Sequence, residues 1–93
     1  MEHIIRTDNG VAFSNILEST RLNKEKYTCH KMFIRRKSWN DQLYWEVKEA
    51  SYKPCKINDN CDLNYIGTKA ITNISISDLL AKDWEMWIEV LYI

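Results

Sequence analysis

Glycine is nearly missing from this chain: Gly10 and Gly67 are the only two in 93 residues. No glycine-rich loop that cradles phosphates can be built from them. Histidine is as scarce. His3 and His30 stand alone, and neither lies in a recognisable nucleophile arrangement. An excess of one charge is also lacking, because Lys plus Arg and Asp plus Glu number 13 each. A chain with zero formal net charge has no global field to attract a nucleic-acid polymer or an anionic membrane, so any anion site must be local. No apolar run approaches the roughly eighteen residues that mark a transmembrane helix. The opening Met1-Glu2-His3-Ile4-Ile5-Arg6 lacks the apolar centre of a signal peptide. The expected location is therefore cytoplasmic. Cysteine is present as an odd three, Cys29, Cys55 and Cys61, which a reducing compartment keeps as thiols.

Aromatic residues, by contrast, are plentiful, with four Trp and five Tyr. Their large apolar area suits cores, subunit interfaces and nucleobase stacking alike. The length predicts one domain spanning 1–93, with a thin core of the kind that often gains stability by self-association.

Periodicity orders the chain. Asp8-Asn9-Gly10 is a turn and N-cap signal. Phe13, Ile16 and Leu17 follow at helical spacing, which predicts a helix over 11–21. Residues 32–36 read as a strand with Met32, Ile34 and Arg36 on one face. Residues 43–49 alternate cleanly, and the turn at 38–42 pairs the two runs as a hairpin. The polar stretch 51–67 reads as a loop with one short strand near 63–66. Residues 69–76 are rich in β-branched side chains and read as a strand. Ser77 is expected to cap a helical turn through Ala81. The last strand, 84–93, places Trp84, Met86, Ile88, Val90 and Tyr92 on one face. Its other face, Glu85, Trp87, Glu89, Leu91 and Ile93, is apolar enough to meet another subunit. The expected fold class is α+β: one N-terminal helix on an antiparallel sheet of four or five strands, homo-oligomeric.

Three clusters could carry chemistry. Cys29 and His30 with Cys55 and Cys61 are enough ligands for zinc, but their spacing matches no paired knuckle, and free thiols are the better reading. Arg35-Arg36-Lys37 followed by Trp39 could grip phosphates while the indole stacks on a base; a solvated basic strand end beside a core Trp is the plainer alternative. Asp78 and Asp83 bracket a helical turn. Paired carboxylates can transfer protons, yet helix-end stabilisation and turn formation account for them equally well. Nothing here makes a positive case for an enzyme, and no cofactor or metal is expected.

Four blocks then stand out together: Phe13-Ser14-Asn15-Ile16-Leu17, Ile34-Arg35-Arg36-Lys37-Ser38-Trp39-Asn40, Leu43-Tyr44-Trp45-Glu46-Val47, and Asp78-Leu79-Leu80-Ala81-Lys82-Asp83-Trp84-Glu85. In this order they resemble the Thoeris anti-defence type 2 family of small phage proteins. The last block is the most specific. The stretch 20–31 is longer than the family's glycine-containing turn, and Ser75-Ile76-Ser77 stands where the family often has a proline. The resemblance implies a homotetrameric sponge that sequesters a cyclic ADP-ribose isomer inside an infected bacterium, with cyclic dinucleotides as a second ligand class in some relatives. Carried onto this sequence, it suggests Trp39 or Trp84 for the base, Arg36 for the pyrophosphate, and Asn40 and Asp78 for hydroxyls or the base edge. Two other readings compete. One is a protein-binding inhibitor of a bacterial defence enzyme acting through residues 84–93. The other is a small single-stranded nucleic-acid binder using Arg35, Arg36 and Trp39, which the zero net charge disfavours.

Overall fold

Alternation of apolar and polar residues builds most of a six-stranded antiparallel sheet in this protein. A computed structural model describes residues 2–26, 31–39, 42–49, 51–67 and 69–91. The elements are β1 (Glu2–Val11), α1 (Phe13–Lys26), β2 (Met32–Arg36), β3 (Leu43–Val47), β4 (Tyr52–Ile57), β5 (Leu63–Tyr65), α2 (Ile76–Leu80) and β6 (Trp84–Leu91). The strands lie in the order β1-β6-β2-β3-β4-β5. The class is α+β, as the periodicity predicts, but among the described residues the sheet has six strands rather than four or five, and the helices number two.

The extra strands come from segments whose turn chemistry hid them. Asp8-Asn9-Gly10 neither ends a strand nor caps the helix. It lies inside β1, where the pairing with β6 shifts register between Arg6 and Asp8 and again between Asn9 and Val11. Gly10 takes φ +66 at the second shift, a conformation that L side chains rarely adopt. The turn signal is thus used for a bulge. The helix begins at Phe13 and continues to Lys26, past the expected end at Arg21. Arg21 contacts both Glu18 and Glu25 on its exposed side and bridges the added turns.

β4 lies in the stretch read as a loop. Its proline is accommodated opposite Trp45, and the Pro54 carbonyl still accepts the Ile66 N–H at 3.0 Å. Cys55 and Ile57 supply the buried face. Residues 69–76, read as a strand, meet the sheet only at an isolated bridge between Ile71 and Tyr52. β5 already covers that edge of β4 from Cys55 to Ile57, so little ladder is left for the segment to join. The cap of α2 is Ser75, not Ser77. Its Oγ accepts the Asp78 N–H at 3.2 Å, the reach of an N-cap to the third helical residue.

Both faces of the sheet are packed. On the α1 side, Phe13 and Ile16 meet Met32, Ile34, Trp84, Met86 and Ile88. On the other, Phe33, Cys55 and Ile57 are covered by Ile4, Tyr44, Leu63 and Trp87. β6 runs between β1 and β2, so its ladder edges are used within the chain. Glu85, on the face expected to meet another subunit, is buried in the protomer, and Trp87 joins the second cluster. Ile93 lies outside the described residues. Among the described residues, no helix is long and apolar enough to cross a membrane.

Candidate functional site

The two most distinctive sequence blocks meet where β2 ends and β6 begins. Antiparallel pairing sets Arg36 opposite Trp84, and the Lys37 N–H continues the ladder to the Asp83 carbonyl at 2.8 Å. α2 leads directly into that corner. The Arg36 guanidinium reaches both acids: Nε donates to Asp83 Oδ1 at 2.8 Å and Nη1 to Asp78 Oδ1 at 2.9 Å. Hydrogen bonds to Asp83, then to Asp78, hold the Arg36 pKa above its ordinary value. The Arg36 hydrogen bond likewise holds the Asp83 carboxyl below its usual range, against the opposing effect of burial, and the Ser38 N–H adds to it. Asp83 is therefore an ion-pair partner at neutral pH and not a proton donor.

Beneath this clamp lies an aromatic row. Trp84 is fully buried. Its ring stands 4.9 Å from Phe13, 5.5 Å from Trp39 and 6.1 Å from Trp45, centroid to centroid. Its Nε1–H donates to the Asp78 carbonyl at 2.8 Å. Trp39 is half-buried and tilts onto Trp45 at 4.6 Å; Trp45 continues to Tyr52 at 5.7 Å. Arg36, Trp39, Asp78 and Trp84 are thus neighbours, as the candidate site requires, but at different depths. Trp39 reaches the surface, while Trp84 is the floor. Asn40 lies outside the described residues.

The basic run divides three ways. Arg36 enters the clamp. Arg35 points to the opposite face and is 5% exposed, so it offers no open phosphate grip. There its guanidinium lies 5.1 Å over Tyr44 and 3.9 Å from Glu85, and its Nη2 donates to the Trp39 carbonyl at 2.9 Å. That bond fastens the turn carrying Trp39 to the far side of the sheet. Lys37 is exposed, and its Nζ lies beside Gly10 of β1.

Sequence reasoning missed Asp83 as the second partner of Arg36, and Trp45 and Tyr52 as continuations of the aromatic row. Period-2 alternation could have found Trp45, because it shares a face with Val47. A long-range ion pair leaves no local signal. It also missed Glu46, which is 2% exposed. Its carboxylate accepts the Tyr65 hydroxyl at 2.6 Å and lies 3.0 Å from Lys48. Burial and the Glu46 hydrogen bond raise the Tyr65 pKa. Removing that hydroxyl leaves a buried acceptor with one partner fewer, so Tyr65→Phe should lower stability by about 1 kcal/mol in urea unfolding. A change near zero would mean that Lys48 alone satisfies Glu46.

The thiols differ sharply. Cys55 is fully buried, and burial pushes its pKa to about 11. Cys61 is exposed, in a turn at φ +63. In a Cys29→Ser background, Cys61 should be alkylated fast and Cys55 only on unfolding. Equal labelling rates in the folded protein would contradict this placement. Among the described residues there is no cluster of three metal-ligating side chains; Cys29 and His30 of the zinc reading lie outside them.

No family model matches the chain, and no curated protein or solved structure matches it either.

Proposed function

We propose that the protein is a non-enzymatic sponge that binds and sequesters a cyclic nucleotide immune signal. The ligand is a cyclic ADP-ribose isomer, with cyclic dinucleotides as a second class, and the biological role is phage anti-defence of the Thoeris type 2 kind. Convergence carries this reading: the two blocks that most resemble that family, some forty residues apart, form one corner held by Arg36, Asp78 and Asp83 over an aromatic row. A cyclic ADP-ribose needs a surface for its purine, a cation for its phosphates and hydrogen-bond partners for its ribose hydroxyls. Trp39 supplies the first, Arg36 the second and Asn40 the third; Trp84 supports Trp39 from below, and Asp78, which the resemblance suggests for hydroxyls, is held by Arg36 in the folded chain. Self-assembly into a tetramer, placing copies of this corner together, belongs to the same proposal.

Incubation with a panel of cyclic ADP-ribose isomers and cyclic dinucleotides, followed by native mass spectrometry, tests ligand and stoichiometry together. One nucleotide of the panel should be retained by an oligomer, and heat denaturation should release it intact. Recovery of a linear or hydrolysed product would turn the protein into an enzyme. A panel with no retained nucleotide would reject the proposal.

A further inference from the structure

We propose that Asp78 is a latch: it occupies the Arg36 fork until a phosphate of the incoming ligand replaces it, lifting α2 from the corner. This rests on the sponge reading and assigns Asp78 a role opposite to that of a ligand contact. The two acids that hold Arg36 are unequally anchored. Asp83 is the more firmly held, because its backbone is fixed where its carbonyl extends the β2–β6 ladder through Lys37 and its carboxylate also takes the Ser38 N–H. Asp78 belongs to a five-residue helix that buries none of its residues. The apolar side chains of α2 point outward, with Ile76 and Leu80 each 74% exposed and Leu79 44%. They contribute little to seating it; the apolar hold on this segment lies at its flanks, where Ile74 and Ala81 pack against the core. Among the described residues, the polar tethers from α2 to the sheet both run through Asp78: its carboxylate to Arg36 and its carbonyl to the Trp84 indole.

Exchange needs no new cation. Asp83 stays on Nε and keeps the guanidinium aimed, while a phosphate oxygen takes the place of Asp78 at Nη1, a charge-assisted contact of the same type. The same movement frees the Nε1 edge of Trp84 beside Trp39, so uncovering the phosphate grip also widens the aromatic surface offered to a base. The preferred ligand class is therefore a phosphate-bearing nucleotide and not a neutral nucleoside. The latch lowers apparent affinity in proportion to the fraction of molecules with α2 seated.

Inorganic pyrophosphate is the probe, titrated into the full-length protein while amide hydrogen exchange is followed. Binding should speed exchange in residues 75–81 and leave β2 and β6 protected. Asp78→Asn should bind pyrophosphate about fivefold or more tightly than the wild type. Ser75→Ala, which removes both the cap of α2 and the hydrogen bond from Ser75 Oγ to Asp78 Oδ2, should shift affinity in the same direction. Weaker binding by Asp78→Asn, or pyrophosphate binding that slows exchange in residues 75–81, would overturn the latch, as would no binding by either protein. Failure of the nucleotide panel, with pyrophosphate still releasing α2, would instead remove the sponge reading and leave the exchange in place.

Discussion

Trp84→Ala is expected to destabilise the protein by about 3–5 kcal/mol, a large part of what a small domain possesses. The indole is fully buried and touches Phe13, Trp39 and Trp45 from the first residue of a central strand. Its removal leaves a cavity that β2, β6 and α1 cannot close without breaking the ladder between Arg36 and Trp84. In a domain of this size the melting temperature should drop by on the order of 20 °C. Trp84→Phe keeps a ring in the row and loses mainly the hydrogen bond to the Asp78 carbonyl, so its loss should be nearer 1–2 kcal/mol. Thermal and urea melts of both variants decide the matter. If Trp84→Ala melts within a few degrees of the wild type, the indole is not the floor of this core.

That outcome bears on how far sequence could lead. Strict alternation in residues 84–88 was enough to put Trp84, Met86 and Ile88 on one face, and they are buried. The hairpin of β2 and β3 was legible for the same reason, since period-2 patterns with a polar turn admit few other pairings. β1 was not. Its Asp-Asn-Gly sequence carries the same local signal as a helix cap, and only the partner strand makes it a bulge. β4 was hidden by its proline and by the polar residues around it. Residues 69–76 show the reverse error: β-branched side chains favour extended backbone, but a strand also needs a free edge, and β5 occupies it. The candidate site follows the same rule. Motif order brought Arg36, Trp39, Asp78 and Trp84 into one list, and the fold brings them into one corner. Their depths, and the pairing of Arg36 with two acids over 40 residues away, depend on tertiary packing.

Arg36→Ala should therefore affect more than ligand binding. Read from sequence, Arg36 is a surface contact whose loss spares the fold. In the folded chain it neutralises two half-buried carboxylates and ties α2 and the start of β6 to β2. Its removal should lower stability by about 2 kcal/mol near neutral pH, the usual loss for hydrogen bonds to charged groups. The effect should depend on pH in a defined direction. The folded Asp83 pKa is depressed, so its share of stability is fully present above the unfolded carboxylate value near 4. That share disappears as pH falls through the lower folded value. Wild type and variant should consequently differ most in melting temperature near neutral pH and converge in acid. A constant gap across that range would show that Arg36 acts through packing and not through the pairs. Binding is then measured where both proteins are folded: losing a phosphate contact of roughly 1.5–3 kcal/mol weakens affinity about ten- to a hundredfold. A variant that loses stability on this pH pattern and yet binds nucleotide at full strength would leave Arg36 as a structural clamp and remove it from the proposed phosphate site.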